Sequence, residues 1–185
     1  MLEPHTTLLD LRTGALEPQR KLTERRLADL DGLFIEPVDP SRRDELAYTV
    51  SEIPAPYDNA NLPSSTTVIR PGRVGEEYFM TKGHFHAQRD RAEIYVGLSG
   101  EGRLVMATED GRAVVEPVRH GTVSYVPGHW AHRTVNVGAE PLVFYAVYPG
   151  DAGYDYATIE SEGFPVLLIA GHEGPMVVPN PRYGA

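Results

Sequence analysis

The residues of this chain best equipped for chemistry are His84 and His86, inside the run Thr81-Lys82-Gly83-His84-Phe85-His86, with Glu93 and His132 further along. Three imidazoles and one carboxylate are common ligands of a borderline divalent metal. Alternate residues of a strand point to one face, so a strand carrying His84 and His86 would present both rings together. Glu93 can return on the next strand. His132 follows the turn Val126-Pro127-Gly128 and can arrive from a third. Side chains from several strands converge most readily inside a barrel or sandwich, so the constellation predicts a fold as well as a metal.

Elements able to position such a cluster are visible in the rest of the chain. Its 185 residues suit one domain, and 41% of them are hydrophobic, enough for a core. The 18 glycines and 16 prolines favour many turns and an all-β architecture. There is no cysteine, so any metal must be held by nitrogen and oxygen. Met1 to Gly14 lacks a basic stretch followed by an apolar one, and no apolar run approaches the roughly 18 residues of a membrane span. A soluble, cytoplasmic protein without a membrane partner is expected. The net charge of −9 argues against a nucleic-acid partner but leaves room for a phosphorylated small molecule, which backbone amides and hydroxyls can hold.

Two short helices are expected, one over Glu24 to Leu30 with Thr23 as cap and Gly32 as stop, one over Ser41 to Ala47. Pro54 to Ser65 reads as a loop. Strands follow over Thr66 to Ile69, Glu77 to Thr81, Glu93 to Leu98, Arg103 to Ala107, Ala113 to Val118, Gly121 to Val126, Arg133 to Val137 and Leu142 to Tyr148. Phe164 to Ala170 and Met176 to Val178 add two more. Strands recurring every ~8–12 residues with turns between them indicate a β-sandwich or barrel. The functional barrel is placed at about 60–150, with 1–59 as an extension packed on it, all in a single domain 1–185.

These residues resemble the cupin superfamily. Glu93 and Gly100 have six residues between them, and Gly121, Pro127, His132 and Asn136 keep the offsets of a second cupin motif. Six residues also separate His86 from Glu93, where generic cupins have three or four. That gap is shared with the cupin-type phosphoglucose isomerases. So are Asp90-Arg91-Ala92-Glu93, Tyr125-Val126-Pro127, Trp130 to Asn136, Tyr148-Pro149, Asp151-Ala152-Gly153 and Asn180-Pro181-Arg182. The resemblance implies a double-stranded β-helix (jelly-roll) barrel, a homodimer, and interconversion of glucose 6-phosphate and fructose 6-phosphate. It implies His84, His86, Glu93 and His132 as ligands of one divalent ion per subunit, iron first, with manganese, nickel or zinc also compatible. Tyr48, Thr67, Thr81, Gly83 and Tyr95 would contact the phosphate, and Tyr148 and Tyr156 the reacting end of the sugar. Two positions depart from the family: Tyr154 stands where it carries a histidine, and His129 where a tyrosine is frequent.

Aldose–ketose isomerisation needs a base near the reacting carbons and an electrophile for the developing oxygen charge. Glu93 is the base candidate and a divalent metal the electrophile. A metal-stabilised hydride shift is the competing route, and both stay open. So do a metal cupin for another sugar or polyol phosphate, a metal-cupin oxygenase, and a non-catalytic sugar-phosphate-binding cupin. His129 is expected at a loop or pocket rim, or as a fifth ligand or acid–base group. His5, His120 and His172 belong to no constellation and are expected at the surface.

Overall fold

A computed structural model describes residues 3–18 and 21–184. The described residues are almost entirely strand and turn. A hairpin of β1 (Leu8–Leu9) and β2 (Leu16–Glu17) precedes β3 (Lys21–Arg26), β4 (Leu46–Ile53), β5 (Ser64–Ile69), β6 (Arg73–Val74) and β7 (Glu77–Tyr78). Then come β8 (Glu93–Ser99), β9 (Glu101–Ala107), β10 (Ala113–Arg119), β11 (Val123–Val126), β12 (Ala131–Asn136) and β13 (Leu142–Val147). A single helical turn and a half, α1 (Ala157–Glu162), leads to β14 (Val166–Gly171) and β15 (Gly174–Pro179).

Two antiparallel sheets build the barrel, one of six strands in the order β11-β8-β13-β5-β4-β3, one of three in the order β10-β9-β12. From β8 onward the chain keeps changing sheet: β8 lies in the first, β9 and β10 in the second, β11 in the first, β12 in the second, β13 in the first. The first switch is made at Gly100, with φ at 79°. A Cβ there would sit 2.4 Å from the Pro141 carbonyl oxygen, so only glycine fits. Leu104, Val126, Val135, Leu142 and Phe144 are buried in the core. Each such side chain contributes about 1.5–3 kcal/mol of burial. A separate sheet, β15-β14-β7-β6, completes the C-terminal part.

The all-β architecture expected of a cupin is therefore present. Several element expectations need correction. Lys21–Arg26 is a strand paired with β4, and only Leu27–Leu30 turns, as a 3-10 helix. The inward residues Lys21, Thr23 and Arg25 are polar because they face a cavity instead of the core. This hid the two-residue period that marks a strand. The second expected helix is a 3-10 turn at Pro40–Arg42, capped by Asp39, whose carboxylate accepts from the Ser41 amide at 2.8 Å. The remainder, from Leu46, is β4. β4 pairs with β5 from Tyr48 opposite Ile69 to Ile53 opposite Ser64, so residues of the 1–59 segment are hydrogen-bonded into the main sheet. Ser64 and Ser65, assigned to a loop from sequence, already belong to β5.

Asn136, at the end of β12, is fully buried. Its amide donates to the carbonyls of Ile69 and Glu140, both at 2.9 Å, and its oxygen accepts from the Gly138 amide at 2.9 Å. One side chain thus ties β12 to the end of β5 and to the turn before β13. Asn136→Ala should cost about 3 kcal/mol in urea unfolding, because it strands buried polar groups. A loss under about 1 kcal/mol would show that water replaces the amide there.

Candidate metal centre

His84 lies on an irregular segment that runs antiparallel to β12. His84 N donates to the His132 carbonyl at 3.2 Å, and His132 N to the His84 carbonyl at 3.0 Å. Thr81 N adds a bond to the Thr134 carbonyl at 2.9 Å. This pairing brings the His84 and His132 rings together, with centroids 4.5 Å apart. His86 extends the same segment, and its Nδ1 meets the Arg91 carbonyl at 2.9 Å. That bond fixes the ring so that Nε2 points at Glu93 of β8, 3.1 Å from Oε2. His132 Nε2 reaches the same oxygen at 3.1 Å without forming a hydrogen bond.

The ligand atoms of His84, His86, Glu93 and His132 all lie within 4.8 Å of one another. His84 Nε2 and His132 Nε2 are buried and have no hydrogen-bond partner. An orphaned buried nitrogen costs free energy, and two of them beside a buried carboxylate suit a cation as partner. The residues therefore fit the divalent metal that the sequence implied. Electrostatics agrees. Burial, with the neighbouring His132, pushes the His84 ring well below its ordinary 6.5, keeping its nitrogen free to coordinate. Burial alone would raise Glu93, but the His132 and His86 imidazoles outweigh it and hold the carboxyl at about 2.

A cavity of about 330 Å³ opens from this cluster. One face of the six-stranded sheet lines it, through alternate residues of its strands: Thr23 and Arg25 on β3, Tyr48 and Glu52 on β4, Ser65 and Thr67 on β5, Glu93 and Tyr95 on β8, Phe144 and Ala146 on β13. Every non-metal site residue expected from sequence borders it: Tyr48, Thr67, Thr81, Gly83, Tyr95, Tyr148 and Tyr156. Thr81 Oγ1 accepts from the Thr134 amide at 3.0 Å, which leaves its proton to donate. Tyr48 Oη accepts from the Lys82 amide at 3.4 Å. Tyr95 is buried beside the cluster, its ring 5.7 Å from that of His132. Burial and the Glu93 charge raise its hydroxyl well above 10, so it stays protonated. Gly83 has φ at 77°, and a Cβ there would lie 2.7 Å from the Phe164 ring.

Sequence reasoning missed Lys21, Thr23, Arg25, Glu52, Ser65 and Lys82, all on the cavity wall. Lys82 stood inside the recognised motif, between two residues read as phosphate contacts, and that adjacency was the available signal. It pairs with Glu160 and lies 5.0 Å over the Tyr156 ring. Tyr154 borders the cavity too, its ring 4.8 Å from His84 and stacked on Tyr156 at 5.6 Å. His129 is exposed, has a left-handed φ of 67°, and does not border the cavity. His5, His120 and His172 are exposed.

The family model described as glucose-6-phosphate isomerase matches residues 24–178. The chain belongs to the glucose-6-phosphate isomerase family. Among curated members of that family, the enzyme of Pyrococcus horikoshii is 44% identical over 185 residues, covering 98% of this chain and 97% of its own. That of Thermococcus onnurineus is 46% identical over 180 residues, covering 96% and 95%. The glucose-6-phosphate isomerase of Sinorhizobium medicae is 38% identical over 180 residues, covering 94% and 84%. Among solved structures, Bacillus subtilis oxalate decarboxylase aligns with a TM-score of 0.45 and 27% identity, over 59% of this chain and 27% of its own.

Metal-free protein should show a distinctive acid profile. Glu93 is depressed from 4.5 to about 2, so its contribution is present above 4.5 and is lost as pH falls toward 2. Burial opposes protonation of His86, but its bond to Glu93 prevails and raises it above 6.5. That contribution is full below 6.5 and is lost as pH rises through the raised value. His84, depressed well below 6.5, contributes fully above 6.5 and loses that contribution as pH falls. Melting of chelated protein is therefore expected to peak near pH 6.5, with the most acidic part of the limb flattened in Glu93→Gln. Titration with a divalent ion should release protons near pH 7 and give one site per chain, weakened more than about 100-fold in His132→Ala.

Proposed function

We propose that this chain isomerises glucose 6-phosphate and fructose 6-phosphate in the cytoplasm, as a single-domain, metal-dependent homodimer. The observation that carries the reading is one cavity joining two chemistries. At one end stand His84, His132 and Glu93, with His86 completing the cluster; along the walls stand hydroxyls and the cations Lys21, Arg25 and Lys82. A phosphorylated sugar needs both, and the wall cations stand out on a chain whose net charge is −9. Membership of the glucose-6-phosphate isomerase family supports the substrate pair. Among the described residues no helix is long and apolar enough to cross a membrane.

In this reading Tyr48, Thr67, Thr81, Gly83 and Tyr95 hold the phosphate, and the binding energy so gained positions the reacting carbons. Tyr95, its ring 5.7 Å from that of His132, donates its proton. A divalent ion held by His84, His86, Glu93 and His132, iron in the first instance, would supply positive charge to the oxygens on C1 and C2. Tyr148 and Tyr156 close the sugar end. Burial raises both hydroxyls, that of Tyr156 to about 12, so they act as donors at neutral pH. Glu93 is the proton acceptor for the sugar carbon. The competing route moves hydrogen directly from C2 to C1 while the hydroxyl proton passes from the C2 oxygen to the C1 oxygen, and it needs no base at carbon.

A coupled assay from fructose 6-phosphate should show turnover that vanishes on chelation and returns with iron, manganese, nickel or zinc. No turnover in folded, metal-loaded protein would sink the assignment. Run in heavy water, the assay should place deuterium on C2 of the product if Glu93 carries the proton. Complete retention of the substrate hydrogen would replace that step by the hydride route.

The homodimer rests on the edge of the six-stranded sheet. β11 pairs only with β8 there, and Val123 and Tyr125 are 70% and 63% exposed, beside Ile94 at 42%. Exposed apolar residues on an open edge invite a second chain. Val123→Asp with Tyr125→Asp should halve the mass by light scattering; an unchanged mass would place the interface elsewhere.

A further inference from the structure

We propose that the loop between His86 and Glu93 is a two-armed clamp, in which Arg89 and Arg91 fix the segment 149–156 and so set the Tyr154–Tyr156 rim over the cavity. The inference rests on the cavity being the isomerase site. Arg91 grips Asp151 in a two-point fork, Nε at 2.8 Å and Nη2 at 2.7 Å. Arg89 Nη2 holds Asp155 at 2.5 Å. These two carboxylates bracket Tyr154, and Asp155 immediately precedes Tyr156. The backbone follows the same path: Gln88 N donates to the Ala152 carbonyl at 2.9 Å, and Phe85 and Asp155 exchange amide bonds at 3.2 and 2.8 Å. Contact is close enough that a Cβ on Gly153, with φ at 61°, would lie 2.9 Å from the Ala87 Cβ.

The clamp also reaches the cluster. The Arg91 carbonyl takes the His86 Nδ1 contact, so one residue orients an imidazole with its backbone and the tyrosine segment with its side chain. Arg89 does likewise from the other side, donating to the His86 carbonyl at 2.6 Å and lying 4.5 Å over the Phe85 ring. Tyr154 itself is 51% exposed; its ring meets those of His84 and Tyr156, and its hydroxyl bonds that of Tyr148. The backbone on either side sets where that ring can reach. Ion pairs this accessible, with side chains 23% and 26% exposed for Arg91 and Asp151, contribute little to global stability. A planar guanidinium fork, however, restricts direction strongly. The longer spacing between His86 and Glu93 thereby acquires a use: it gives the loop room for both arginines. Arg89 and Arg91 are positioning residues, since neither borders the cavity.

The test uses full-length, metal-loaded protein with Arg89→Gln, Arg91→Gln, Arg91→Lys and the reversed pair Arg91→Asp with Asp151→Arg. Hydrogen exchange is read at the amides of Ala152 and Asp155, and metal content by elemental analysis. The expected result is exchange about tenfold faster at those two amides in both glutamine variants, with the β-strand amides and the metal content unchanged. With it, kcat/KM for fructose 6-phosphate should fall about tenfold, mainly in kcat. Arg91→Lys should recover little, because it lacks the fork, and the reversed pair should recover more than either of its single substitutions. Unchanged exchange at Ala152 and Asp155 would overturn the clamp. So would a loss of activity that merely follows loss of metal, or faster exchange with unaltered kcat. Should the parent protein prove inactive on sugar phosphates, the isomerase reading fails, while the exchange data still judge the clamp.

Discussion

A buried carboxylate among buried imidazoles is the constraint around which this protein is arranged. Glu93 stands on a strand of the six-stranded sheet and His132 on a strand of the three-stranded one. Bringing them to 3.1 Å requires the two sheets to face each other at that point. An ionised carboxylate in such a place is tolerable only with partners, and the alternation of strands between sheets supplies them from both sides. The backbone pairing of His84 with His132 completes the set with main-chain bonds, which tolerate less sliding than side-chain contacts. Two imidazole nitrogens are left unsatisfied. The fold accepts that local cost because the same nitrogens are what a cation binds.

Much of this was legible in the chain, for identifiable reasons. The cluster could be read because its spacing is dictated by strand geometry: His84 and His86 differ by two, and Gly100 and Pro127 mark where the chain must turn. Strands β8 to β13 were legible through their turns and their Val, Leu and Tyr content. The N-terminal strands were not. In β3 the side chains that face inward are Lys21, Thr23 and Arg25, and in β4 they include Tyr48 and Glu52. Sequence patterning assumes that inward means apolar, and a strand facing a polar cavity inverts that rule. The run from Glu24 to Leu30 then satisfied a helix pattern, since acidic and basic residues alternate with leucines at helical spacing. Tertiary pairing with β4 overrode this local preference.

The same inversion explains why the cavity's cations escaped notice. Phosphate contacts read from motifs were hydroxyls and a glycine, grouped at Thr81 and Gly83. The structure adds charge from a part of the chain remote in sequence, through β3 as the outermost strand of the main sheet. Lys21 is partly offset by Glu52 at 3.2 Å, and Lys82 by Glu160. Arg25 meets no carboxylate among the described residues, and its charge falls instead on the Tyr48 and Tyr156 hydroxyls. An acidic protein thus keeps cations on the wall where an anionic ligand would lie, one of them, Arg25, not neutralised by a carboxylate.

Tyr154 shows how a departure from a family pattern can be absorbed without disturbing the centre. A histidine there would offer a ring nitrogen to the cavity; tyrosine offers a hydroxyl that burial and the adjacent Tyr148 keep protonated. The ring still stacks on Tyr156 and meets His84 edge-on, so the aromatic wall survives the exchange. What changes is the repertoire of proton transfer: the group can donate but not readily accept near neutral pH. Glu93, among the described residues, is the carboxylate the imidazoles surround, and the same imidazoles that hold it also suppress its basicity.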